Sequence, residues 1–555
     1  MDAAAVGALL SSEAAEERAR AYACLEGTAA DDVPLAAACV APLCALLGRG
    51  GDGVGPEEAS RAALALARLV ALDGAQVGGE WARGGRWLAA WRSETNRLAA
   101  IGRKPVAELT QADALALAAG EAALGAWAFT ESWDARGAAA GITGGEMYGA
   151  IWLSEPYGVG SRSGSEERNR KLTTLALAAL REERDQMSEE LLAGLWTLLT
   201  RLGGARPSVN THQIESGMIG LAVAELRTMA PRDWVSVSRC RSGRAACAIT
   251  AVGCALMSSN ADAGDPGLLE VCIEALAAYQ EVGSSDDTNP IFLFMVMLAM
   301  YNYCRRDGKQ EKYRASIRAA GPSLRFLLDH PKNWIEVWAS TTSVITGFFV
   351  ADAFGRDEDD TGLQLSQSDI DSHIFLMLGH LSGEMSDGLL PLMPNWSDPP
   401  LHFCVSDRHK TLVLNNPEAL TLLVHGLFVD PDHPRGDRAS EILGELALPT
   451  PHEIQAVFQR QYVEALQQLT LLPVGREALL NDPRVIAALE AVAERGMTPE
   501  AKEHAAGALI SLKGFADGED SGVVAEHVML SYQWSNQRMI VKINDALRRR
   551  KYLLR

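Results

Sequence analysis

Between Val485 and Gly514 the chain reads VIAALEAVAERGMTPEAKEHAAGALISLKG. Val485, Ala488, Leu489 and Val492 share one helical face, Gly496 interrupts it, and Pro499 opens a second helix with Ala505, Ala506, Leu509 and Leu512 on its inner side. The same order occurs near the other end, from Val40 to Asp73: Pro42, Leu43, Leu46 and Leu47 form a stripe, a glycine-rich break follows, and Pro56 with Glu57 and Glu58 starts a helix carrying Ala62, Leu64, Ala67 and Leu69. A pair of short amphipathic helices has apolar stripes but no core of its own. Such a unit is stable only when stacked on neighbours of the same kind, and this restricts the chain to a repeat array more than any other feature does.

Composition agrees with helices. The 555 residues are 48% hydrophobic and only 6% aromatic, with Ala and Leu dominating almost every window. A formal net charge of −20 argues against nucleic acid as a partner, because phosphate neutralisation needs clustered cations. Nine cysteines are spread thinly with no CxxC pair, which indicates neither a disulfide framework nor a zinc ribbon. The opening MDAAAVGALLSSEAAEERAR lacks a basic region and turns acidic by Glu13, so no signal peptide or presequence is expected there. The most apolar window, Pro290 to Cys304, is shorter than the roughly 20 residues that span a bilayer. It reads as a helix buried on all sides, in a cytoplasmic protein without a transmembrane segment.

Between the two hairpins run further helix-length stripes: EELLAGLWTLLTRL, LLEVCIEALAAYQEV, IRAAGPSLRFLLDH, HIFLMLGHLSG, ALTLLVHGLFVD and YVEALQQLTLLPVGREALL. An apolar helix, a short gap and then xAxxALxxL resembles the armadillo repeat. The resemblance implies an all-α, armadillo/HEAT-like α-solenoid superhelix over residues 1–515, with about eleven repeats and protein partners on its concave face. Irregular insertions are expected near 74–100, 131–171, 355–369 and 388–412, and the glycine- and acid-rich 516–526 reads as a linker.

Few groups along the array suggest chemistry. Asp357, Asp359, Thr361 and Gly362 fit the first positions of a calcium loop, but Ser368 stands where the bidentate glutamate belongs, so a solvated loop is expected. Cys240, Cys247 and Cys254 recur every seven residues, two helical turns apart, which is a buried stripe rather than a ligand set. His373 and His380 repeat that spacing, and His402, Cys404 and His409 fall in an irregular connector without a nearby carboxylate orienter. Trp81, Trp87 and Trp91 read as anchors at a helix junction. GxSxG, GxxxxGK[ST] and HExxH are absent, so no catalytic residue, metal ligand or cofactor site is expected in the array.

The stretch after the linker differs from everything before it. Val528, Met529, Leu530 and Ser531, ending at Tyr532, form a short apolar run suited to a buried parallel strand. Met539, Ile540, Ile543 and Leu547 then fall on one face of a basic helix capped from Ser535 or Asn536. The run HVMLSYQWSNQRMIVKINDALRRRKY resembles the opening of a Toll/interleukin-1 receptor (TIR) domain: first strand, QWSNQ turn and first helix, over residues 527–555. The resemblance implies a β-α fragment of a TIR-type α/β fold. It places Tyr532, Gln533 and Trp534 near the family's nucleotide pocket and adds other TIR domains as partners. The chain stops at Arg555, ahead of the family's second strand and catalytic glutamate, so a truncated TIR domain and a non-catalytic scaffold for TIR signalling are expected. The alternatives are a longer gene product acting as an autoinhibited TIR NAD hydrolase, with NAD as substrate only in that case, and a plain protein-binding α-solenoid.

Overall fold

The computed structural model describes residues 3–26, 33–48, 54–72, 98–128, 166–203, 207–235, 244–259, 261–264, 267–282, 290–304, 310–330, 336–355, 362–381, 398–404, 406–428 and 451–516. Helices dominate them, and no strand occurs among the described residues. In chain order they begin with α1 (Ala3–Leu10), α2 (Ala15–Glu26), α3 (Val33–Gly48), α4 (Pro56–Leu72), α5 (Gln111–Ala128), α6 (Glu166–Glu182) and α7 (Glu189–Gly203). The middle holds α8 (Pro207–Glu215), α9 (Met218–Leu226), α10 (Pro231–Val235), α11 (Arg244–Ser258), α12 (Leu268–Val282), α13 (Pro290–Cys304), α14 (Gln310–Ala319), α15 (Gly321–Asp329) and α16 (Glu336–Phe354). The last third holds α17 (Gln367–Leu381), α18 (Asp398–Phe403), α19 (Asp407–Leu414), α20 (Ala419–Leu427), α21 (Pro451–Thr470), α22 (Pro473–Asn481), α23 (Pro483–Arg495) and α24 (Pro499–Ala516).

Packing is sequential. α3, α4, α5, α7, α11, α13, α16, α18, α21 and α24 each pack on the next, forming one unbroken row. Beside it, α6, α9, α12 and α15 form a second row in the same fashion, continued by α17, α20 and α23. One contiguous core runs from Leu98 to Leu512, while Val6 to Leu69 form a smaller core under α1 to α4. Each helix thus touches its neighbours in the stack and little else, which is the packing of a helical solenoid.

The paired-helix reading needs one correction. Three units contain three helices, α14-α15-α16, α19-α20-α21 and α22-α23-α24, and a fourth runs from α8 to α11 with the five-residue α10 inserted; each opens with a helix of 8 to 10 residues. The stripe from Ile317 to His330 is two helices, broken at Ala320 with Pro322 in the first turn of the second. The stripe from Tyr462 to Leu480 breaks at Leu471 and Leu472, where Pro473 starts α22. Two turns of helix carry too few apolar positions to separate one period from the next.

The expected irregular regions are also narrower than their sequence bounds. α6 begins at Glu166 inside 131–171, α17 begins at Gln367 inside 355–369, and α18 with most of α19 lies inside 388–412. Residues 73–97, 129–165, 356–361 and 382–397 fall outside the described residues, as do the linker from 517 and the TIR-like stretch 527–555.

Several placements follow the sequence closely. Val485, Ala488, Leu489 and Val492 are all buried in α23, and every residue of α13 from Phe292 to Cys304 is buried. From Phe292 to Cys304 no face of α13 reaches solvent. Leu64, Ala506 and Leu509, expected to point inward, are half-buried instead.

Candidate partner-binding surface

Charge pairs, most of them removed from water, tie helices of the stack together within and between its rows. Near the N-terminus Arg18 on α2, almost fully buried, binds Glu58 of α4 through two nitrogens and donates to the carbonyls of Ser12 and Glu13 at 2.9 and 2.8 Å. Glu121 of α5 is fully buried and accepts from Arg201 Nε of α7 at 2.5 Å. Glu225 of α9 lies between Arg184 Nε at 2.7 Å and Arg244 Nε of α11 at 3.1 Å. Arg325 of α15 grips both oxygens of Asp369 on α17 at 2.8 and 2.9 Å and reaches Asp329 at 2.6 Å. This fork-to-fork geometry fixes the mutual rotation of two helices that otherwise meet only lightly.

Asp369 does two jobs. Ser366 N–H and Oγ donate to its Oδ2 at 2.7 and 2.8 Å, while Asp369 N–H donates back to Ser366 Oγ at 3.2 Å, a reciprocal cap on α17. Burial pushes its carboxyl up, but the bonds from Arg325 and Ser366 outweigh this and hold it down at about 2. Amide side chains close other helix ends. Gln213 donates to the Leu199 carbonyl at 2.7 Å and Asn169 to that of Leu202 at 3.2 Å. Gln459 donates to the Leu427 carbonyl at 3.2 Å and accepts from Met497 N–H at 2.7 Å.

What the row presents to solvent changes along its length. On α7 and α11 the partly exposed residues include Thr197, Cys247, Thr250, Cys254 and Met257 together with the charged Glu190, Arg201 and Arg244. α13 and the C-terminal half of α16 close over, with only Ser343 and Asp352 half-open from Thr342 onward. On α21 and α24, His504 Nδ1 pairs with Gln467 Oε1 at 2.6 Å, His504 Nε2 lies 3.8 Å from Glu464, and Ile510 stands 72% exposed two turns from Glu503. At this end of the row Glu503 and Ile510 of α24 stand exposed to solvent.

The residues singled out from sequence separate into three groups. Cys247 and Cys254 share one face of α11 as expected and are partly rather than fully buried. Their thiols are held neutral, with burial pushing Cys254 up to about 12. Cys404 is buried and likewise pushed up by burial to about 12. His373 is enclosed between α16 and α17, with Nδ1 2.5 Å from the Asp369 carbonyl and Nε2 2.9 Å from that of Ser343.

His402 and His409 come to the same end of α16. His402 Nδ1 lies 3.7 Å from Asp352 with its ring against Phe348, and His409 lies against Gly355. No group of three His, Cys, Asp or Glu among the described residues could hold a metal ion. Cys240, Trp81, Trp87, Trp91 and, in the acidic loop, Asp357, Asp359 and Thr361 lie outside the described residues, as does the side chain of His380. So do Val528, Met529, Leu530, Ser531, Tyr532, Gln533, Trp534, Met539, Ile540, Ile543 and Leu547.

Sequence reasoning missed the joint pairs. Ser366 and Asp369 carry a legible signal, the S-x-x-D spacing ahead of an apolar run. Glu121 and Glu225 carry none, because a carboxylate in an Ala/Leu-rich helix reads as a solvent position until its arginine is seen.

No family model matches the chain, and no curated protein matches it. Among solved structures, a chain from work on the conserved phosphorylation switch that controls the interaction between cadherin and beta-catenin is similar at 15% identity. The match covers 93% of this chain and 99% of that one, with a TM-score of 0.39. The solenoid assignment stands on the helix packing of this chain itself. No helix of the described residues is long and apolar enough to cross a membrane.

Proposed function

We propose that this chain is an armadillo-type protein-binding scaffold of the cytoplasm, and that the open strip on α21 and α24 is where it engages a protein partner. The observation that carries this reading is the unbroken row of stacked helices, which turns Ile510 and Glu503 of α24 to solvent at one end. Solenoids of this construction offer an extended surface rather than a pocket. Ile510→Asp should abolish capture of the protein partners that the wild-type chain retains in proximity labelling, with no change in melting temperature. Unchanged labelling would place the partner surface elsewhere.

The finer reading links the scaffold to TIR signalling through the resemblance of residues 527–555. Val528 to Ser531 would supply the first strand, Met539, Ile540, Ile543 and Leu547 the first helix, and Tyr532, Gln533 and Trp534 would lie near a nucleotide pocket. On this reading TIR domains are among the partners and the chain uses no cofactor. Incubating the 555-residue protein with NAD should release no nicotinamide; sustained release would favour the alternative, a TIR NAD hydrolase restrained by its own solenoid.

A further inference from the structure

His409 on α19 has a fully buried side chain, and among the described residues neither ring nitrogen has a hydrogen-bond partner. The ring lies against Gly355, the residue after α16: a Cβ there would come within 2.9 Å of Cε1 and 3.0 Å of Nδ1. The backbone is pinned as well, because His409 N–H donates to Ser406 Oγ at 3.1 Å as part of the α19 cap. A neutral imidazole already leaves one donor unmet in this joint. An imidazolium would leave two donors and a charge.

The charged groups around the joint are committed elsewhere or have the wrong sign. On α19, Asp407 is taken by Lys410 at 2.9 Å, and Arg408 adds a cation beside the ring, with Nη2 3.5 Å from the Leu365 carbonyl. Asp352 on α16 faces Arg314 and His402, each at 3.7 Å. On α17, Asp369 is held by Arg325, Asp371 by Gln367 and Asn416 at 2.9 and 2.7 Å, and His373 by two carbonyls. α18 adds His402 and the neutral Cys404 thiol, α20 adds His425 with Glu418 at its cap, and α22 adds Arg476 and Glu477. Among the described residues none of these groups is ion-paired or hydrogen-bonded to the His409 ring. Burial first, and Arg408 second, push His409 down to about 4.

We propose that the joint between α19 and the end of α16 is an acid-labile latch: proton uptake by His409 drives its ring into water and unseats α19 while the rest of the stack holds. The sign follows from the order of the two proton affinities. The closed joint binds the proton less tightly than an open, ordinary histidine, so the latch is at full strength above about pH 6.5 and weakens progressively down to about pH 4. The opening equilibrium should rise about 30-fold between pH 7.5 and pH 5.

Hydrogen exchange of the full chain, corrected for the intrinsic pH dependence of amide exchange, reads this directly at the amides of Asp407–Leu414. The wild type should show the 30-fold rise there with α23 and α24 unchanged, and His409→Gln should flatten it to under about threefold. An equal rise in both proteins, or none in the wild type, would overturn the latch. If His409→Gln does not fold, the wild-type imidazole itself is followed by NMR. Its titration in step with α19 exchange supports the latch, whereas titration with an ordinary midpoint while α19 stays protected sinks it.

Discussion

Gly347 and His373 meet across the packing of α16 on α17, and the contact leaves no space for a side chain between them. Any Cβ at Gly347 would run into the imidazole at Nε2, the nitrogen that faces the Ser343 carbonyl. Gly347→Ala should therefore destabilise the protein by about 1–3 kcal/mol, the usual range for overpacking a tight core, with the loss read as a lower urea midpoint at unchanged slope. Nothing in the sequence marks this glycine. It stands in an apolar run, SVITGFFVADAF, where periodicity identifies a buried helix but not the ring on the neighbouring one. Val485, Ala488, Leu489 and Val492 were legible because their burial follows from spacing along a single helix. Glu121, Glu225 and His409 were not, because what makes them unusual is a partner, or the lack of one, contributed by another repeat.

At the scale of the element, α13 and α24 are opposite cases. α13 is apolar around its whole circumference and buried around it too, whereas α24 buries Ala501, Ala505, Ala508 and Leu512 and turns Ile510 to solvent. Met297→Lys in α13 should cost more than about 3 kcal/mol, since no direction exists in which the ammonium could reach water. Ile510→Lys in α24 should change stability by less than about 0.5 kcal/mol. Parallel urea melts decide it, and similar losses in both variants would mean the Ile510 face is covered in solution. Length and hydropathy alone identified α13. The short opening helices α8, α14, α19 and α22 escaped, because two turns of helix hold too few apolar positions to show a period of their own.

Over the whole molecule, contacts run between neighbours in the stack, so stability should be local rather than shared. The joint at Glu121 and Arg201 tests this. Glu121→Ala leaves a nearly enclosed guanidinium without its counter-charge, a change worth about 3–5 kcal/mol when a buried pair is broken on one side. Amide protection should fall in α5 and α7 and stay unchanged in α21 to α24; a uniform loss along the chain would show that the stack unfolds as one unit. Repeat architecture was legible because it is written many times over. The number of helices per unit was not, being decided by breaks of one to four residues.

The full enclosure of α13 also has a consequence in time. Its walls are α11 and α12, which precede it in the chain, and α16, which ends about 50 residues after it. At ordinary translation speeds that interval is on the order of several seconds. Throughout it a 15-residue segment with scarcely a polar side chain waits half-covered. The nascent chain is then most exposed to chaperones, to aggregation, and to mistaken capture by membranes, and slow codons placed between Arg305 and Phe354 would lengthen that window.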